Sequence, residues 1–449
     1  MTIYTGWDVQ IGGYGSTSGS SSVTSYNVPA DAIDFTSRVK SLKVDNRAYL
    51  GKVGRTTAQV VLDNNDGALT PEGGGTYASK DWFAEPLHVI GRIGTSDPPA
   101  IQTGATSINP YFSGPINDFE FHDDGFESTV ILTAVDWGTF FSRFTFQAAA
   151  TETGNLNTVY ANLSDDMRPY LPLYGADVGS TNWLALGGTT SSLSQTVAKG
   201  DYLGDVSNTL ISADGGTLLP PVTNWVWSTS GGGQKTVRYD GYLILRDNLT
   251  VTDTLSYPLV FNGTNSLAST DLPIKNLKLA FNDDEFITQA EVNRTGGTAQ
   301  YSFNNTGSTT WGPKSVTITD LPLTSDADSL SYAQWFTNRF DQVNFVPSSF
   351  EITGSMIESK CNDAALEYVK YLTYVVGNSI RSVLWRPLKI TWTGAGNTSN
   401  TKNVLANRVT LIATPTDWKI KFQTVDAVTN GAFILNSTTQ GVLNTNKLG

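Results

Sequence analysis

Residues 55–94 read RTTAQVVLDNNDGALTPEGGGTYASKDWFAEPLHVIGRIG, and this stretch decides the class of fold. Its start alternates: Ala58, Val60 and Leu62 fall on one side, and Thr57, Gln59 and Val61 on the other. That is the period of a half-buried strand. The run stops at Asp63-Asn64-Asn65-Asp66-Gly67, residue types that bond their own backbone or tolerate positive φ. A polar, glycine-rich excursion follows, then a second apolar strand from Leu87 to Ile93. The residues alone read as a decorated β-hairpin.

The rest of the chain agrees with a β protein. Its 449 residues predict two to four domains at roughly 150 residues each, enough to bury several cores. The 42 glycines and 11% aromatic content suit many strands and turns. A net charge of −12 weighs against a nucleic-acid-binding surface and would repel DNA, although it also serves plain solubility. Cys361 is the single cysteine, so no internal disulfide can form. The start, MTIYTGWDVQIGG, has neither the basic nor the apolar segment of a secretory signal. No apolar run approaches the ~18 residues that span a bilayer; the longest, 368–376, is interrupted by lysine and threonine. A soluble chain, or one assembled into a soluble particle, is expected.

Residues 12–25 are low-complexity and predict a flexible loop. Further strands are expected over 34–47, 111–124 and Val130–Val135, the last running into a short helix with Asp136 as N-cap before Trp137, Phe140 and Phe141. Residues 146–200 read as irregular. Leu203, Val206, Leu210 and Ile211 then predict an amphipathic helix ending at Gly215-Gly216. Strands are expected around Val226 and from Val237 to Leu245, with a turn at Asp240-Gly241. Beyond Leu272 a strand pair joined at Thr295-Gly296-Gly297 precedes a helix from Asp326 to Asp341, capped by Ser325 or Asp326, with Leu330, Ala333, Phe336 and Phe340 as its stripe. SFEITGSMI (349–357) reads as a strand, and Asp363–Val376 as a second helix between Asn362 and Gly377. Strands over 388–392, 407–413 and 418–424 follow. The two halves echo loosely at Val135-Asp136-Trp137 and Thr416-Asp417-Trp418, too weakly for a repeat.

Chemistry finds little footing. His88, His122 and Cys361 have no metal-ligand spacing, and so few histidines argue against a Ser-His-Asp or Cys-His nucleophile. No G-x-S-x-G elbow occurs; Gly15–Gly19 has Thr17 at its centre. Counted as an EF-hand from Asp63, position 5 is already Gly67 and position 12 is Gly74, so the pattern fails. A non-standard Ca²⁺ site at 63–66, from Asp63, Asn65 and Asp66, stays open beside a plain turn. The carboxylates at Asp123-Asp124, Asp165-Asp166 and Asp283-Asp284-Glu285 read as solvated turns rather than a glycosidase pair. GGGQKT (231–236) lacks the P-loop ending. Trp82, Trp183 and Trp311 fall in loops and read as interface anchors. No catalytic, cofactor-binding or metal residue is assigned, and no enzyme is expected.

Several phrases, in order, resemble the tail hub proteins of tailed bacteriophages (baseplate hubs and the N-terminal module of siphophage tail-associated proteins, minor tail proteins). They are DFTSRV (34–39), LDNNDG (62–67), FSGPI (112–116), VILTAVD (130–136), ISADGGTLL (211–219), DGYLILR (240–246), Ser308 with Trp311-Gly312, and the closing AFILNSTTQGVL (432–443). The resemblance covers about 33–145, 200–247, 283–357 and 403–447. It implies a mainly β fold with a few α-helices (α+β), multi-domain. Two tube-like β-barrel domains, 1–145 and 271–449, the second with two helices, would flank an irregular, mixed α/β insertion at 146–270. It further implies a structural virion protein, a homotrimer at the distal end of the tail. Such a hub continues the tube channel, adapts a sixfold tube to a threefold tip, and takes part in tail assembly and genome ejection. Implied partners are itself, tail tube and distal tail proteins, the tape measure protein, and tip fibre or spike proteins. DNA would pass only in transit, with no cofactor and no membrane insertion. The chain would be soluble in the host cytoplasm before joining the virion tail tip. It ends soon after the hub module, so no long C-terminal host-recognition or peptidase extension is expected. Ala68–Lys80 is then a candidate subunit contact. Alternatives are a distal tail or adaptor ring protein, usually hexameric, and a carbohydrate-binding or glycan-degrading β protein of the tail tip.

Overall fold

The computed structural model of the chain describes residues 4–12, 32–48, 53–71, 74–77, 82–83, 85–94, 108–109, 111–136, 138–139, 142–167, 184–186, 192–214, 217–219, 242–244, 259–264, 266–282, 286–341, 343–361, 375–376, 384, 387–394 and 398–426. The first part holds β1 (Tyr4–Ile11), β2 (Ile33–Asp34), β3 (Val39–Arg47), β4 (Arg55–Asp63), β5 (Pro86–Gly94), β6 (Ile108–Asn109), β7 (Phe112–Asp123) and β8 (Ser128–Val135). The middle holds β9 (Ala150–Gly154), α1 (Leu156–Met167), β10 (Leu184–Leu186), β11 (Leu193–Val197), α2 (Leu203–Asp214), β12 (Thr217–Leu219) and β13 (Tyr242–Ile244). Next come β14 (Val260–Asn262), β15 (Leu272–Pro273), β16 (Lys275–Asn282), β17 (Gln289–Arg294), β18 (Gln300–Phe303), α3 (Asn305–Trp311), β19 (Ser315–Leu321) and α4 (Asp326–Arg339). The last are β20 (Asn344–Thr353), α5 (Gly354–Lys360), β21 (Val375–Val376), β22 (Pro387–Thr393), β23 (Ser399–Ala413) and β24 (Trp418–Asp426). The fold is mainly β with a few helices, in several sheets.

Strands from both ends of the chain build one wall. Eight run side by side and antiparallel in the order β16-β20-β24-β23-β3-β4-β8-β7. The alternation read in 57–62 holds across this wall: Ala58, Val60 and Leu62 are fully buried, and Thr57 and Gln59 are exposed. The same side of the other strands contributes Leu42, Val44, Val130, Leu132, Leu411, Ile420, Phe422 and Phe350 to one continuous core. Phe261, Phe350 and Phe422 meet there with ring centroids 4.6–5.3 Å apart. Burying a side chain of this size contributes about 2 kcal/mol, so the wall is held chiefly by this face. The long strand β23 is the junction, pairing β24 on one side and, end to end on the other, β22 and β3.

The opening stretch is not a hairpin. β4 pairs β3 and β8, whereas β5 pairs β1 and β7. Period-2 alternation assigns faces but not partners, and described residues between β4 and β5 turn back onto the core. Ala68 and Leu69 are buried, the Tyr77 N–H donates to the Ala68 carbonyl at 3.0 Å, and the Tyr77 ring packs edge-on against Phe35. Within the expected subunit contact at Ala68–Lys80, Ala68, Leu69 and Tyr77 thus pack on this core, whereas Pro71, Gly74 and Thr76 are exposed.

Smaller units flank the wall. The described residues of 146–200 are more regular than expected: β9 pairs β11, and α1 lies between them in the chain with Leu156, Val159, Tyr160 and Leu163 buried. α2 presents Val206, Leu210 and Ile211 to the core, as its periodicity predicts. The β18-β17-β19 sheet carries the expected pair joined at Gly296, which has φ +69°. α4 starts at Ser325, whose hydroxyl accepts from the Asp328 N–H. Of the expected stripe, Ala333 and Phe340 are buried and Leu330 and Phe336 half-buried, and the helix buries Ser329 and Tyr332 beside them. The strand expected to run through residue 357 ends at Thr353, whose hydroxyl caps α5 by accepting from the Met356 N–H. Most of the predicted helix at 363–376 lies outside the described residues, and its end, Val375–Val376, is a strand paired with β6. The loops at 13–25, the strand around Val226, the turns at 215–216 and 240–241, and the tail after 426 also lie outside them.

Candidate functional site: a polar wall with a carboxylate seam and two free edges

The wall's second face is polar, and register places its side chains in rows. One row carries Lys278, Ser349, Gln423, Arg408, Arg47 and Arg55 across β16, β20, β24, β23, β3 and β4. The next carries Lys275, Glu351, Lys421, Thr410, Asp45 and Thr57, and a third Thr353, Lys419, Ile412, Lys43 and Gln59. Beyond β4, β8 adds threonines and isoleucine, and β7 adds Asp118, Glu120 and His122.

The seam where the two ends of the chain meet, β3 against β23, centres on Asp45, which is buried. Its Oδ1 accepts from Arg408 Nε at 2.8 Å and Thr410 Oγ1 at 3.0 Å, and its Oδ2 from Arg408 Nη2 and Arg47 Nε, both at 2.8 Å. Burial alone would push this carboxyl up; the bonds from Arg408, Arg47 and Thr410 outweigh it and hold it at about 2. The fork geometry explains arginine at both places.

A second clasp lies at β1. The Thr5 N–H and hydroxyl both donate to Glu358 Oε1 of α5 at 3.0 Å, and Trp418 Nε1 donates to Thr5 Oγ1 at 2.8 Å. Trp7 stands edge-on to Trp418 at 6.0 Å. Gly354 is required for the close approach: a Cβ there would lie 2.5 Å from Trp418 Nε1.

The wall ends at two edges. β16 pairs only β20, and residues 118–123 of β7 pair only β8, among the described residues. On the polar face one edge carries Lys275 and Lys278, and the other Asp118 and Glu120. An unpaired edge presents free backbone N–H and C=O groups on which another strand can pair.

The residues singled out in the sequence disperse. At 63–66, Asn64 is buried and holds the Leu69 N–H at 2.8 Å, Asn65 Oδ1 holds the Ser128 N–H, and Asp66 forms a two-bond pair with Arg38. The Arg38 bond is the main cause that sets the Asp66 carboxyl at about 2. Lys40 lies 3.5 Å from Asp63. Protein cations therefore face both carboxylates that a Ca²⁺ site would use. Asp136 is the expected cap, accepting from the Thr139 N–H at 2.8 Å while its other oxygen ties the Thr56 N–H; burial pushes its pKa up. Asp123 and Asp124 accept from the backbone of their own turn. His88 is buried with Nδ1 3.0 Å from Ser113 Oγ, His122 is on the surface, and Cys361 is at the end of α5, so nothing joins them. Trp82 is core rather than anchor, stacked on Phe119. Trp311 is half exposed at the end of α3. Asp165 and Asp166 end α1; Trp183, Asp283 to Glu285 and residues 231–236 lie outside the described residues. The Asp45 seam escaped the sequence reading because two of its three partners, Arg408 and Thr410, are more than 360 residues away.

No protein-family model matches the sequence, and no curated protein matches it. Among solved structures, the chain is similar to a tail protein from Neisseria meningitidis MC58, with 10% identity and a TM-score of 0.47 over 95% of this chain and 98% of that one. It is similar to the prophage MuSo2 43 kDa tail protein from Shewanella oneidensis, with 9% identity and a TM-score of 0.48 over 94% and 99%. Prophage tail protein gp18 from Listeria monocytogenes EGD-e gives 8% identity and a TM-score of 0.43 over 93% and 94%. At these scores the likeness lends no function to this chain.

Proposed function

We propose that this chain is a structural subunit of a phage tail hub, acting by geometry rather than by catalysis. The observation that supports this reading is the eight-stranded wall, built jointly from both ends of the chain and finished by two edges of opposite charge that have no strand partner among the described residues. A head-to-tail contact between unlike edges makes a ring when the rotation closes. Three copies, each contributing tube-like units at 1–145 and 271–449 around the insertion at 146–270, would make a pseudo-sixfold ring. That ring would continue the tube channel and match it to a threefold tip. The hub-like phrases in the sequence support the same reading. Tail tube, distal tail, tape measure and tip proteins are its proposed neighbours, and the virion tail tip its place. The mass of the full chain by light scattering tests this. Three copies are expected; six would favour a distal adaptor ring, and a lone chain at high concentration would overturn the ring.

A further inference from the structure

The chain carries a net charge of −12, yet its charge is segregated. The three central rows of the polar wall hold eight cationic side chains and two carboxylates, six positive charges in excess. Both carboxylates are taken: Asp45 by its two arginines, and Glu351 by Lys421 at 3.3 Å and Asn276 at 2.8 Å. Lys43, Arg55, Lys275 and Lys278 are exposed and have no ion-pair partner among the described residues. From β16 to β4 the patch measures about 24 Å across the strands and about 13 Å along them.

We propose that this face holds the phosphate backbone of a nucleic acid duplex without reading its sequence. Backbone contact needs only positive charge at the surface. The rows contain no aromatic side chain on which single-stranded bases could stack. Ile412 is their one apolar residue, too little for the apolar core of a protein interface. At physiological salt, charges are felt over about 8 Å, so a duplex at this face meets the local excess rather than the net charge. The proposal goes beyond the ring and stands without it.

The test is binding of the full chain to a random-sequence DNA duplex of about two helical turns, followed by anisotropy between about 50 mM and about 200 mM salt. Binding is expected to fall steeply with salt, with a logarithmic slope of about −5 for six phosphate contacts in a single chain, or about −4 for four where Lys275 and Lys278 face Asp118 and Glu120 of a neighbouring copy. Lys43→Glu with Arg55→Glu is expected to weaken binding at least ~10-fold and to flatten the slope by about two. Absence of binding at the lower salt, or an unchanged slope in the variant, overturns the proposal. So does competition by poly-glutamate as effective as by duplex, which would assign the face to an acidic polypeptide. Circular dichroism checks that the variant folds, and Lys43→Gln with Arg55→Gln replaces it if it does not. Copy number is read separately, so loss of the ring and loss of binding are distinguishable.

Discussion

Asp45 and Asp8 are both shut off from solvent, one at the seam between β3 and β23 and the other in β1, yet their carboxyls move in opposite directions. Asp45 has two arginine forks and a threonine hydroxyl, enough to overturn the cost of burial. Asp8 has Arg92, and Thr36 Oγ1 at 3.3 Å; burial remains the larger cause and pushes its pKa up. The difference teaches that burial raises a carboxyl in both regions, and that the number of charged donors decides the outcome. The seam is built to stay ionised and fastened, whereas β1 keeps a carboxyl that folding strains.

The largest effect expected from this contrast is at the seam. Asp45→Asn leaves Arg47 and Arg408 without their counter-charge. Because both arginines are partly exposed, the loss is set below the 3–5 kcal/mol of a fully buried broken pair, at about 2 kcal/mol. Urea unfolding at neutral pH measures it. The acid limb should show the same energy: with its carboxyl lowered from 3.8 to about 2, Asp45 adds stability that is complete above pH 3.8 and is lost as pH falls towards 2. Asp45→Asn should therefore flatten the acid limb, and an unchanged limb would break the comparison.

Asp8 carries the opposite sign. Its raised pKa makes its contribution most favourable below 3.8 and less so as pH rises through the folded value. Asp8→Asn is expected to change neutral-pH stability by less than about 1 kcal/mol, since the lost pairing with Arg92 is offset by relief of a buried charge. Unfolding series at acid and neutral pH check it; a loss as large as that of Asp45→Asn would show that Asp8 too is a clasp.

Faces were legible in the sequence, and partners were not. Alternation in 57–62 set Ala58, Val60 and Leu62 on one side, which is the buried one, and the stripe of Val206, Leu210 and Ile211 marked a real helix. β4 and β5 were both found as strands, but their pairing runs through β8 and β7, which local pattern cannot encode. The charge of −12 averaged away the cationic rows. Their signal was present in the alternation itself, since Lys419 and Lys421 share a face, as do Lys43 and Arg47. What was missing was the register that sets those faces side by side. The seam needed Asp45 and Arg408 to be neighbours across nearly the whole chain, which only the tertiary fold supplies.

The central claim is that the wall's unlike edges close copies of the chain into a ring. Light scattering on charge-exchanged variants tests it most directly. Asp118→Lys with Glu120→Lys, and separately Lys275→Glu with Lys278→Glu, should each drop the particle to a single chain, and the four changes together should restore three copies. Three copies in every variant, or no restoration in a folded fourfold variant, would contradict the account.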